Sequence, residues 1–154
     1  MSKYAVGFDF DGVIHCNVTK PDKTGQRHPS IPFHQVPSDK FDVIIDLIKF
    51  YKQNNYECYI ITARPSKYKK LVRTTLDMFG IDKSIIPDNN IITTGDTGGC
   101  KIRYIEHYNI RDFYDDSLNI FKSIIIAKHH KQLNKLKNCY ITYPESNSIK
   151  KLKI

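Results

Sequence analysis

Two aspartates one residue apart, Asp9 and Asp11, close an apolar, β-prone run that begins at Tyr4, and Gly12 follows at once. Side chains alternate faces along an extended strand, so both carboxylates can face one cleft if the backbone leaves the sheet there. Gly12 permits such a sharp departure. A pair of carboxylates at the end of a first strand suits a hard divalent cation, or a nucleophile with a proton-handling partner. The bland alternative is a strand end whose acids solvate a turn. A calcium loop of the EF-hand type needs further oxygen ligands at alternate positions and a closing Glu, and counted from Asp9 it would have Val13 and Lys20 at two of those places.

The elements that must position these acids follow in order. Residues 15 to 38 carry four prolines and three histidines and read as a long loop or short hairpin flap. Within it, Lys20, Lys23, Arg27 and His28 can touch an anionic substrate or simply be solvated. Ser38 or Asp39 is expected to cap a helix whose apolar positions Phe41, Ile44, Ile45 and Ile48 recur at helical spacing through about Asn54. A strand from Tyr56 to Thr62 leads into Ala63, Arg64 and Pro65, and the proline starts the next helix well. Tyr68, Leu71, Val72, Thr75 and Phe79 form its inward stripe, and Gly80 closes it. Pro87 to Asn90 is a turn, Ile91 to Thr93 a short strand, and Thr94 to Gly99 a loop feeding a helix from about Cys100 to Tyr108. A strand from Asn109 to Tyr114 ends in Asp115 and Asp116. Leu118, Phe121, Ile125, Leu133 and Leu136 fit one long helix, and Cys139 to Tyr143 a last strand.

Strands alternating with helices predict an α/β fold: a Rossmann-like, doubly wound, mostly parallel sheet with helices on both faces. The 154 residues make one domain, 1 to 154, with the flap inserted at 15 to 38. The strand ends of such a sheet lie along one edge. That edge gathers Asp9, Asp11, Thr62, Asp115 and Asp116, with Lys101 at the start of a helix nearby. Acids suit Mg²⁺, and a lysine and a hydroxyl suit a phosphoryl group.

This set resembles the haloacid dehalogenase superfamily of phosphohydrolases over nearly the whole chain. Asp9-Phe10-Asp11-Gly12-Val13 is similar to its first motif, Ile60-Ile61-Thr62 to its second, Lys101 to its third, and Phe113-Tyr114-Asp115-Asp116 to its fourth. The resemblance implies that Asp9 is a nucleophile forming an aspartyl-phosphate, and that Asp11 protonates the leaving oxygen and then deprotonates water. It implies that Thr62 and Lys101 hold phosphate oxygens, with Lys67, Lys69 and Lys70 as rivals to Lys101. Mg²⁺ would be held by Asp9, Asp115, Asp116 and the backbone carbonyl of Asp11. A hydroxyl cap on the next helix is the alternative for Thr62, and a surface lysine for Lys101. Arg64 either forks onto a phosphate or nucleic-acid backbone or pairs with an acid. Asn119 is a candidate to orient a ligand carboxylate, and Asp112 is expected outside the site.

No segment is long enough for the superfamily's cap domain: Ile102 to Tyr114 alone separates the third and fourth motifs, and residues 13 to 38 leave room for a flap only. A capless site in this superfamily tends to go with large substrates. The segment from Lys122 to Ile154 holds eight lysines against Glu145 alone, +7 of a total formal charge of +8. Such a surface supplies salt-sensitive binding to a phosphate backbone. The alternative is a lysine-rich composition that colours every surface. The expectation is therefore a Mg²⁺-dependent phosphatase of nucleic-acid ends, similar to the 3′-phosphatase half of polynucleotide kinase-phosphatases, with no kinase loop of the Gly-x-x-x-x-Gly-Lys type. Alternatives are a nucleotide or small-phosphoester phosphatase, a phosphoprotein phosphatase, and a non-catalytic nucleic-acid-binding protein. The scattered Cys16, Cys58, Cys100 and Cys139 point to a reducing compartment, cytosolic or nuclear, and no apolar run approaches the roughly 20 residues of a membrane span. A secretory leader is not evident at the N-terminus.

Overall fold

A computed structural model describes residues 3–95 and 99–154. Its strands and helices alternate as expected: β1 (Ala5–Phe8), α1 (Asp42–Gln53), β2 (Glu57–Thr62), α2 (Lys69–Met78), β3 (Ile91–Thr93), α3 (Gly99–His107), β4 (Ile110–Asp115), α4 (Leu118–His129), β5 (Asn138–Tyr143) and β6 (Ser148–Leu152). The six strands make one sheet in the order β3-β2-β1-β4-β5-β6. All pairings are parallel except β5 with β6.

Alternation along the central strands builds two apolar layers. Val6 and Phe8 of β1, with Cys58 and Ile60 of β2, pack under Ile44, Ile45 and Ile48 of α1 and Val72 and Leu76 of α2. Ala5, Tyr59, Ile61 and Phe113 point the other way, onto Ile105 of α3 and Ile120, Phe121, Ile124 and Ala127 of α4. Both faces of β1 and β2 are therefore covered, which is why those strands read as nearly unbroken apolar runs. Two of the helices cover each face, as the doubly wound reading requires. Among the described residues no helix is long and apolar enough to cross a membrane.

Three details differ from the sequence expectation. The first is the start of α1. Neither Ser38 nor Asp39 caps it; it begins at Asp42, after Phe41, with no side-chain cap. The residues before it are held by tertiary bonds instead: Phe41 N–H donates to Ile14 O (3.0 Å), and Ser38 and Asp39 N–H donate to Asn17 Oδ1 (3.2 and 2.9 Å). The second is α4, which stops at His129 rather than running through Leu133 and Leu136. Lys131 turns left-handed (φ 59°), Lys131 N–H reaches Lys128 O (3.0 Å), and Gln132 N–H reaches Ala127 O (2.8 Å). This is the paired-bond ending that usually takes glycine. Lys128 Nζ then binds Leu136 O (2.7 Å), so Leu133 and Leu136 are buried from the returning chain, not from a helix. The third is β6, an extra strand. Asn147 (φ 50°) makes the left-handed turn after Pro144, Glu145 and Ser146, and the chain returns antiparallel to β5.

The flap at 15 to 38 is largely irregular, closed at its base by a bridge between Val18 and Pro29 and by Thr19 N–H to His28 O (2.8 Å). Asp22 turns its tip by accepting bonds from Thr24 and Gln26. Arg27, buried although charged, ties the flap to the β5–β6 turn through Glu145 (2.7 Å) and donates to Thr19 O (3.2 Å).

Gly12 is the hinge that lets the chain leave β1. It sits at φ 77°, and a Cβ there would run into the carboxylate of Asp116. Its carbonyl accepts from Thr142 Oγ1 of β5 (2.8 Å). Gly12→Ala is therefore expected to lower stability by roughly 1–2 kcal/mol from the left-handed backbone alone, and by more from the clash. In an Asp116→Ala background the added cost should fall toward the backbone part. Equal costs in the two backgrounds, read from urea midpoints, would contradict the packing of Gly12 against Asp116.

Candidate functional site

In the order 3-2-1-4-5-6, successive strands run outward in opposite directions from the boundary between β1 and β4, and the strand ends there splay to leave a crevice. Asp9 directly follows β1, Asp115 ends β4 with Asp116 next, and Thr62 ends β2. Because β1, β2 and β4 are parallel, one edge collects them all. They line a cavity of about 570 Å³ together with Asp11, Arg64 and Lys101; the flap contributes Gln26, Arg27, His28 and Phe33, and α4 contributes Asn119.

Lys101, from the first turn of α3, lies between two of the acids. Its Nζ is 2.9 Å from Asp115 Oδ2 and 3.1 Å from Asp9 Oδ1. Asp9 Oδ1 also accepts the N–H of Phe10 (2.8 Å), and Asp115 Oδ1 that of Ser117 (3.0 Å). One oxygen from each of Asp9, Asp115 and Asp116 lies within 4.8 Å of the others. Lys101 thus pairs with two of three clustered buried carboxylates, and the third, Asp116, feels the charges of Lys101 and Arg27 without a close ion pair among the described residues. Burial, and then the charge of Asp115, push the pKa of Asp9 up to about 8. Burial and the nearness of Asp9 raise Asp116 well above the carboxylate range. Lys101 is raised as well, because Asp115 and Asp9 outweigh the effect of its own burial. An excess of buried negative charge held on oxygen ligands fits a hard divalent cation.

Asp11 lies apart from that triad. Arg64 grips it with a fork, Nε to Oδ2 (2.9 Å) and Nη2 to Oδ1 (2.8 Å), and spends its remaining nitrogen on Phe33 O (2.9 Å). The guanidinium also lies 4.5 Å from the centroid of the Phe33 ring and 5.1 Å from that of Phe10. His15 adds a bond from Nε2 to Asp11 Oδ1 (2.7 Å). Burial alone would raise the pKa of Asp11, but the bonds from His15 and Arg64 outweigh it and hold the group down at about 2. Two neighbouring carboxylates are thus pushed in opposite directions by their surroundings, the pattern of paired groups with different tasks.

The other residues singled out in the sequence are placed as follows. Thr62 is buried, and its Oγ1 accepts the N–H of Arg64 (3.2 Å) while lining the cavity. Asn119 donates to Gln26 of the flap (3.5 Å), whose side chain also receives Ser117 Oγ (3.3 Å). Asp112 is buried beneath Asn138 Nδ2 (2.7 Å), inside the sheet. Lys67 lies over the Tyr68 ring (5.1 Å) and is exposed, so of the four candidate lysines it is Lys101 that meets the acids. The loop expected between Thr94 and Gly99 includes Asp96, Thr97 and Gly98, which lie outside the described residues. His15 was not singled out from the sequence. The available signal was a histidine four residues after Asp11, across the turn at Gly12.

In metal-free protein, the raised pKa of Asp9 means that the folded chain keeps a proton that the unfolded chain gives up above about pH 4. Stability is thus expected to fall as pH climbs from 5 to 8, and Asp9→Asn should flatten the fall. A divalent cation should raise Tm more at pH 8 than at pH 5, since it competes with protons for the same oxygens. Parallel Tm profiles for parent and Asp9→Asn would show that Asp9 is already ionised without metal.

No family model matches the sequence. An uncharacterized protein of Acanthamoeba polyphaga mimivirus is 36% identical over 146 residues, which is 93% of this chain and 28% of the viral protein. The chain thus spans little more than a quarter of the curated relative it matches. The crystal structure of a hypothetical protein from Pyrococcus horikoshii OT3 overlaps 81% of this chain and 39% of its own, at 18% identity and a TM-score of 0.36. That likeness is below the level at which a shared fold can be argued.

Proposed function

We propose that this chain is a phosphomonoester hydrolase of the haloacid dehalogenase type, acting through an aspartyl-phosphate on phosphorylated nucleic-acid ends. The observation that carries the reading is one cavity at the β1/β4 crevice lined by Asp9, Asp11, Thr62, Lys101, Asp115 and Asp116. Asp9 is the nucleophile. Its Oδ1 is held by Lys101 and by the N–H of Phe10, which leaves Oδ2 to form the bond to phosphorus. Thr62 Oγ1 and Lys101 Nζ steady the phosphoryl oxygens as the ester bond lengthens. Asp11 is the proton carrier. Loaded, it gives its proton to the leaving oxygen as the P–O ester bond breaks; unloaded, it takes a proton from the water that attacks phosphorus and frees Asp9. The bonds from His15 and Arg64 favour the unloaded form.

Asp9, Asp115 and Asp116 would hold Mg²⁺, which when bound keeps the carboxylates ionised and screens Asp9 from the negative phosphoryl group. The preference for nucleic acid is supported by the formal charge of +8 and by the flap, which at residues 15 to 38 is short for a cap domain. Exposed Lys122, Lys131 and Lys135 belong to that basic segment, whereas Lys128 is committed to Leu136 O.

Asp9→Asn should reduce turnover of a phosphorylated substrate by at least about a thousandfold while the protein stays folded. EDTA should abolish activity and Mg²⁺ restore it, and Asp116→Ala should raise the Mg²⁺ needed. Near-normal turnover by Asp9→Asn would remove covalent catalysis by this residue.

A phosphorylated oligonucleotide should show a lower KM than a mononucleotide with the same end, and the advantage should shrink as salt rises. Changing Lys122, Lys131 and Lys135 to Gln should erode that advantage and leave mononucleotide turnover alone. An oligonucleotide KM that equals the mononucleotide's and ignores salt would assign the cavity to small phosphoesters.

A further inference from the structure

His15 is fully buried, four residues beyond Asp11, and both of its ring nitrogens are committed. Nδ1 accepts the backbone N–H of Asn17 (3.0 Å), so that nitrogen must carry its lone pair. A neutral imidazole has one N–H, and with Nδ1 accepting, the hydrogen sits on Nε2. Nε2 therefore donates to Asp11 Oδ1 (2.7 Å). The ring cannot turn away easily: it meets Phe10 edge-on at 5.0 Å, and the backbone at His15 bridges both Asp11 and Lys40. Flipping the buried imidazole would leave the Asn17 N–H unpaired and take one of its two donors from Asp11 Oδ1, which is costly out of water.

The hydrogen bonds to Asp11 can be counted against its lone pairs. Each carboxylate oxygen accepts about two bonds. Oδ1 accepts from His15 Nε2 and Arg64 Nη2, and Oδ2 accepts from Arg64 Nε. Oδ1 is full, and Oδ2 keeps one acceptor position, in a residue that lines the cavity. Without His15, the carboxylate would rest, among the described residues, on Arg64 alone. Arg64 is also buried but lines the cavity, where an anionic substrate would draw on its fork, whereas His15 is not part of the lining. His15 is the partner of Asp11 that no substrate reaches.

We infer that His15 is a positioning residue: held as its Nε2–H tautomer by the Asn17 N–H, it fixes the Asp11 carboxylate from behind so that Oδ2 alone meets the leaving oxygen or the attacking water. The inference rests on the phosphatase reading for what Asp11 does, but not for the geometry of the pair. It places the cost of losing His15 on proton transfer rather than on binding. A substrate whose leaving group needs no proton should feel it little.

Two measurements test it. The first needs no activity: nitrogen-15 NMR of histidine-labelled protein near neutral pH should show His15 with Nε2 protonated and Nδ1 bare. An Nδ1–H tautomer, or a ring protonated on both nitrogens, would overturn the inference, whatever the enzyme assays give. The second compares His15→Leu, which keeps bulk without a donor, with His15→Gln, whose amide N–H reaches about as far as Nε2. With an alkyl phosphate, His15→Leu should lose at least about tenfold in kcat at nearly constant KM, within the range that general acid–base catalysis supplies. With an aryl phosphate of good leaving group the loss should be small, and His15→Gln should recover most of it. Equal losses on both substrates by both variants, alongside a lowered Tm, would make His15 a packing residue and overturn the inference. So would a His15→Leu variant that matches the parent on both. A parent that hydrolyses no phosphomonoester would defeat the phosphatase reading, and the tautomer would still decide the pairing of His15 with Asp11.

Discussion

Taking three carboxylates out of water beside one lysine is the constraint on which this structure turns. Ionised groups removed from solvent are costly unless paired, and Lys101 is too few for Asp9, Asp115 and Asp116. A fold built only for stability would not assemble such a cluster. The surrounding chain is shaped to keep it together: β1 and β4 lie side by side in parallel, Gly12 has no side chain where Asp116 needs space, and Thr142 pins the Gly12 carbonyl. The core on either side of the sheet supplies the stability that the cluster spends.

Asp11 faces a different environment a few ångströms along the chain. Donors surround it, and one of them, Arg64, also binds Phe33 O in the flap. The same guanidinium therefore joins His15 in holding Asp11 ionised and also seats the flap. Arg27 fastens the flap a second time, at the β5–β6 turn. The cavity wall is thus coupled to Asp11 through one side chain, and movement at Phe33 would be felt there. Arginine suits this post because its planar fork binds a carboxylate with two bonds and still has a donor and a flat face to offer.

Much of this was legible in the sequence because it depends on period and position. Apolar runs of strand length gave β1, β2, β4 and β5 nearly at their observed bounds, and acids at their ends gave Asp9, Asp115 and Asp116. Lys101 was the weakest of these in sequence terms, since a lysine at a helix start is common; only the fold brings it between two acids. What stayed hidden depends on contacts between distant segments. The start of α1 is fixed by Ile14 and Asn17, twenty or more residues away, and not by a local cap. The end of α4 at His129 is set by Lys131, two residues on, where a left-handed lysine gives no warning that a glycine would have given. His15 looked like one more loop histidine because its meaning lies in which nitrogen accepts the Asn17 N–H. β6 is short, exposed and rich in lysine, and it reads as a polar tail until the turn at Asn147 is seen.

Those lysines also decide what happens at the margin of the sheet. The outermost strand on one side, β6, carries Lys150 and Lys151, and the outermost on the other, β3, is three residues long. A row of unpaired N–H and C=O groups invites a neighbouring chain to add a strand, and charge or brevity discourages it. A parallel sheet assembles slowly from segments far apart in sequence, so its edges are exposed to other chains while it forms. Guarded at both ends, this one is a poor seed for aggregation at the stage when the protein is most vulnerable to it.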